Sequence, residues 1–155
     1  MRNRMRMGGV VLCLGLLGCD LLPGFFGNQL SGSIASAEDL QFDEVDARKF
    51  PSGEIQIRYK RNRNGNNEIV AQVSVLPPAE GIRYGQDIDL PSNRGAVNRV
   101  VQSAADFPPL KSGSIRFDSG AVNSGDATRG RFNATFENDK TLNGTFDAQL
   151  EVVGF

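Results

Sequence analysis

The chain has 155 residues, 17 basic against 18 acidic side chains for a formal net charge of -1, two cysteines and no histidine. The missing histidine excludes a Ser-His-Asp triad, histidine-ligated zinc and an imidazole acid or base. A balance this close to neutral offers no overall basic excess for a phosphate backbone, so no nucleic-acid partner is expected.

The first element is a leader. Arg2, Arg4 and Arg6 precede "GGVVLCLGLLG", an uncharged run of about eleven residues, which suits a secretory h-region and is well short of the roughly twenty needed to span a bilayer. Residues 1–18 therefore read as a signal peptide that is removed. No two arginines are adjacent, so nothing favours export of a prefolded chain. Leu16-Leu17-Gly18-Cys19 resembles the lipobox of bacterial lipoproteins. The resemblance implies diacylglycerol on the Cys19 thiol, cleavage before Cys19 and acylation of the new amino group by a fatty acid such as palmitate. One acyl chain, at about 0.8 kcal/mol per buried methylene, binds a membrane marginally, whereas two or three hold essentially permanently. The implied place is the bacterial cell envelope, with the membrane as partner through the lipid. Asp20 resembles the signal that retains some lipoproteins in the inner membrane, and the choice between inner and outer membrane stays open.

With Cys13 discarded and Cys19 modified, the folded portion would carry neither a free thiol nor a disulfide. Thiol catalysis and thiolate metal sites are then excluded, and the domain must stand on its core alone. Loss of the three leader arginines also makes the body mildly acidic. Residues 19–29 read as lipidated cysteine and tether. Pro23, Gly24 and Gly27 break regular structure, while Leu21, Leu22, Phe25 and Phe26 supply apolar groups for the lipid interface, a sheet edge or a binding partner.

Residues 30–155 read as a single β domain in which the dominant period is two. "LSGSIAS" and "LQFDEVDARKF" are the first strand candidates. In "GEIQIRYKR" Ile55, Ile57 and Tyr59 alternate with Gln56, Arg58 and Lys60, the pattern of a strand with one wet face. "NEIVAQVSVLP" places Ile69, Ala71, Val73 and Val75 against Val70, Gln72, Ser74 and Leu76; with both faces partly apolar it reads as a central strand. Asn64-Gly65 between them suits a tight hairpin turn. "GQDIDL" adds a strand, and residues 96–105 fit either a strand or a short helix. Ile115 and Phe117 mark another strand. A last hairpin follows, with Phe132, Ala134 and Phe136 in one arm, Leu142 to Val152 in the other, and Asn138-Asp139 at the turn. This hairpin is similar to the terminal one of small uncharacterised β-rich envelope lipoproteins, a similarity that implies no activity. Eight or nine short strands, spaced by Gly, Pro, Asn and Ser, predict an all-β antiparallel sandwich or small barrel built from hairpins.

Candidate chemistry is sparse. Asp87 and Asp89 share a strand face, and Asp39, Asp43, Glu44 and Asp46 form an acidic run, but neither matches the spaced calcium loop and no glycosidase motif accompanies them. Lys49, Lys60, Lys111 and Lys140 sit in no motif that would give a serine its base. The glycines fall at turns and lead into no phosphate-cradling helix. The triplets Asn133 to Thr135 and Asn143 to Thr145 match a glycosylation acceptor, which in a bacterial lipoprotein reads as coincidence. Arg58, Lys60, Arg61 and Arg63 gather near the first hairpin tip, the candidate contact for anionic headgroups, envelope polysaccharide or an acidic envelope protein; solvated charges guarding a sheet edge produce the same pattern. No catalytic residue, metal or cofactor is expected. The leading expectation is a lipid-anchored, non-catalytic binding or structural module. The alternatives are a barrel carrier of a small apolar or amphipathic ligand and, behind it, a carboxylate enzyme acting on envelope glycans.

Overall fold

Alternating apolar and polar residues become strands wherever one face can be buried, because successive side chains point to opposite sides of the backbone. The computed structural model describes residues 27–102 and 104–154; the leader, Cys19, Asp20 and the tether up to residue 26 lie outside the described residues. Nine strands result: β1 (Gln29–Ser31), β2 (Glu44–Lys49), β3 (Ile55–Arg63), β4 (Asn66–Val75), β5 (Asp87–Asp89), β6 (Ala96–Val100), β7 (Leu110–Ser119), β8 (Ala127–Phe136) and β9 (Thr141–Val152). Short 3-10 turns lie at Ser33–Ser36 and Pro91–Asn93. No helix among the described residues is long and apolar enough to cross a membrane.

The expected all-β class and strand number hold. The arrangement is one sheet, in the order β5-β7-β8-β9-β2-β3-β4-β6 with β1 also on β9, curled into a half-barrel. It is mixed and not purely antiparallel, since β2 runs parallel to β9 from Ala47 opposite Leu150 to Lys49 opposite Val152. The cause is the length of β9, twelve residues or about 40 Å of strand. β1 covers only Asn143 to Thr145 on one edge of β9, leaving the far part of that edge to a second strand.

Four of the largest core side chains, Tyr59, Phe117, Phe136 and Phe146, are 0 % exposed; burying each such ring contributes about 2–3 kcal/mol. Phe117 meets Phe146 edge-on at 5.7 Å between ring centroids, and Phe42 meets Tyr59 at 5.0 Å. Tyr59 works as a wedge. It stands on β3, yet its hydroxyl donates to the Thr145 carbonyl of β9 at 2.8 Å, reaching across where β2 and β9 have parted. Gly144 makes room for it, because a Cβ there would overlap the Phe132 ring and lie 2.8 Å from the Tyr59 hydroxyl.

Two local features shape the sheet further. In the β3–β4 hairpin Asn64 and Gly65 both take positive φ, 53° and 81°, as the primed hairpin turn requires. Opposite Tyr59 and Lys60 the register of β4 skips from Ala71 to Ile69, so Val70 is an extra residue in a bulge. The expected alternation breaks there. Ile69 leaves the row of Ala71 and Val73, and Glu68 comes to face Arg61.

The two edge strands, β5 and β6, are consecutive in the chain, and the strap between them stitches the seam. Leu90 N–H donates to Gly113 of β7 at 3.0 Å, Leu76 N–H donates to Asn93 at 3.1 Å, and Gly95 N–H turns back onto Leu90 at 2.6 Å. Residues 96–100 are strand and not helix, because the start of β6 finds the open edge of β4.

Candidate functional site

The first hairpin does not hold its four basic residues as one cationic patch. Arg58 and Lys60 lie on the outer face of β3 and Arg61 on the inner phase, one residue past Lys60, as strand alternation demands. Every one of them already has a carboxylate. Asp46, opposite Arg58 on β2, accepts from Arg58 Nε at 2.7 Å and from Lys60 at 2.9 Å; Glu44 takes Lys60 at 3.1 Å. Burial alone would raise the Asp46 carboxyl, but the hydrogen bonds from Arg58 and Lys60 outweigh it and hold the group below its ordinary value. Arg61, 8 % exposed, donates to Glu68 at 2.6 Å and to Asp39 at 2.7 Å, and Arg63 reaches Asp39 at 2.9 Å. The Arg61 hydrogen bond holds Glu68 below the usual carboxylate range. An open groove of about 440 Å³ runs along the outer side, bordered by Glu44, Arg48, Arg58, Lys60 and Asn67. An anionic partner docking there would have to displace acids already in place.

The acidic run is spent in the same way. Besides Asp39, Glu44 and Asp46, Asp43 accepts from the Asn62 N–H at 2.9 Å. Asp87 and Asp89 do share the exposed face of β5, but Asp89 caps the turn of the strap by accepting from Ser92 N–H at 2.9 Å, and hydrogen bonds from Ser92 hold it below its ordinary value. Asp87 stands opposite Arg116. Among the described residues no three or more His, Cys, Asp or Glu side chains gather as a metal site would need.

Sequence reading passed over a polar groove on the outer face. On the outer face, strand register lines up Ser31, Asn143, Asn133 and Ser114 in one cross-strand row, and Gln29, Thr145, Arg131 and Arg116 in the next. The Asn133 amide donates to the Ser114 hydroxyl at 2.9 Å. A groove of about 240 Å³ lies over these rows, with Asp87 at its side. Side chains stacked in adjacent strands stand about 5 Å apart, so amides, hydroxyls and the guanidinium groups of Arg131 and Arg116 are presented together as donors and acceptors. Both Asn-x-Thr triplets contribute their asparagines to this face. The sequence held a usable signal, since the β8–β9 turn sets Asn133 opposite Asn143; the rows from β1 and β7 needed the tertiary fold.

Comparison of the chain with protein-family models, with curated proteins and with solved structures returns no match.

Proposed function

We propose that this is a lipid-anchored protein of the bacterial cell envelope that acts as a non-catalytic binding or structural module, attached through Cys19. The observation that carries the proposal is Leu16-Leu17-Gly18-Cys19 at the end of an arginine-led apolar run of secretory length. The fold supports the non-catalytic half. A carrier needs interior volume, and here that volume holds Tyr59, Phe117, Phe136 and Phe146; a carboxylate enzyme needs acids left free to move protons, and the acids of the 39–46 run are engaged as acceptors. Recognition then belongs to the outside, and the polar rows around Asn133, Asn143 and Arg131 suit the hydroxyl groups of an envelope polysaccharide better than an apolar ligand.

Mass spectrometry of the mature N-terminus tests the anchor, with Cys19→Ala expected to move the protein from the membrane to the soluble fraction. Co-sedimentation with purified envelope polysaccharide tests the face: Asn133→Ala with Asn143→Ala should lower retention several-fold while leaving thermal unfolding in place. An unmodified Cys19 thiol would refute the first part, and retention unaffected by the pair of substitutions the second.

A further inference from the structure

Four large apolar side chains stand out as exposed among the described residues, and three of them, Tyr84 at 51 %, Val122 at 48 % and Val152 at 44 %, gather at one end of the half-barrel. This is the end where β2, β4, β7 and β9 finish, opposite the Asn64-Gly65 turn. The Tyr84 hydroxyl donates to the Gly120 carbonyl at 2.8 Å, the Lys49 ammonium donates to the Val122 carbonyl at 3.1 Å, and Lys49 pairs in register with Val152. Val152 continues the inward row of Phe146, Ala148 and Leu150 to the rim, where it is exposed. At the same end, with Lys49 and Val122 on its wall, opens an apolar groove of about 320 Å³ also lined by Ile55, Leu76, Pro77, Pro78 and Ile82.

The first described residues point toward the same end. β1 is antiparallel to β9, with Gln29 opposite Thr145 and Ser31 opposite Asn143, so the backbone followed upstream from Gln29 moves toward the C-terminal end of β9. It is fastened on that course by Thr145 Oγ1 donating to the Gly27 carbonyl at 2.6 Å and by Asp147 N–H donating to Asn28 Oδ1 at 2.6 Å. Seven residues separate Gly27 from Cys19, a reach of about 25 Å at full extension.

We infer that this apolar end is a lipid-facing surface, and that it seats the domain on the interfacial region of a phospholipid bilayer with the polar rows of the outer face left accessible. The inference rests on the anchoring proposed above. Exposed apolar groups clustered around a groove are what a surface contact buries. Lys49 and Arg83 are met at this end by Glu54, Glu80 and Asp126, the last accepting from the Asn123 N–H at 2.8 Å, so there is no positive excess for anionic headgroups and the contact depends on apolar burial, which salt does not screen.

The test uses the mature lipidated protein in phosphatidylcholine vesicles. Val122→Cys and Val152→Cys at this end, and Asn66→Cys and Lys111→Cys at the other, each carry a nitroxide, with collision rates measured for oxygen and for a water-soluble nickel chelate. The expected oxygen-to-nickel ratio is several-fold higher at positions 122 and 152 than at 66 and 111, in low and in high salt alike. Equal ratios at the two ends, with lipidation confirmed by mass, overturn the inference and leave the anchor standing. Labels at 122 and 152 shielded from both reagents mean that protein covers the patch and also overturn it. An unmodified Cys19 thiol overturns the anchor and this inference together.

Discussion

Tyr59→Phe isolates the wedge between β3 and β9. The substitution keeps the ring, its edge-on contact with Phe42 and its 6.1 Å approach to Phe132, and removes only the hydroxyl that donates to Thr145. Tyr59 is 0 % exposed, so no water readily takes the place of the lost donor, and the expected cost is about 1–2 kcal/mol. For a domain of this size that lowers the melting temperature by about 4–8 °C. Tyr84→Phe is the matched control: its hydroxyl bond is equally short, 2.8 Å, but the side chain is half exposed and water substitutes, so a loss under about 0.5 kcal/mol is expected. Urea unfolding of the chain from Asp20 onward measures both. Burial also pushes the Tyr59 phenol far above its ordinary value of 10.0. A group raised on folding stabilises fully below its unfolded value and loses that contribution as pH rises, so wild-type stability should decline above about pH 10. Tyr59→Phe should weaken that alkaline decline. Equal losses for the two tyrosine variants, or an alkaline limb unchanged by Tyr59→Phe, would refute the reasoning.

Three further outcomes are expected. Gly95→Ala should destabilise by about 1–3 kcal/mol, since its Cβ would lie 2.7 Å from the Leu90 carbonyl oxygen and force apart the strap that joins the sheet edges; thermal unfolding reads this, and an unchanged midpoint counts against the strap. Asp46 is held below its ordinary value of 3.8 by Arg58 and Lys60, so its contribution is present above about pH 4 and lost as pH falls. Asp46→Asn should therefore be less stable at neutral pH and show a shallower acid decline in a pH series of urea midpoints. Arg61→Met alone should cost more stability than Arg61→Met with Glu68→Leu, because the single change strands a carboxylate facing the inner side of the sheet; a double-mutant cycle with no coupling would show that the pair contributes nothing.

Much of the fold was legible because its determinants are local. Period-two alternation marked β3, β4, β8 and β9, and Asn64-Gly65 announced its turn through the positive φ that both residues adopt. The four basic residues of the first hairpin were also found, but as a cluster, whereas alternation divides them between two faces and their acidic partners come from β2, from Asp39 and from Glu68. The polar rows of the outer face escaped notice because each strand contributes only two of their members. They exist only once β1, β7, β8 and β9 lie side by side.

The amino-acid order by itself determined the strands of the two hairpins, their turn residues and the side chains lacking for imidazole chemistry, and it carries the proposed lipid attachment, since each depends on a few neighbouring residues. The tertiary structure alone decided the parallel pairing of β2 with β9, the bulge at Val70 that turns Glu68 toward Arg61, and the gathering of Tyr84, Val122 and Val152 at one end. Those outcomes follow from which edges remain unpaired when distant strands compete for the length of β9, and no local pattern records that competition.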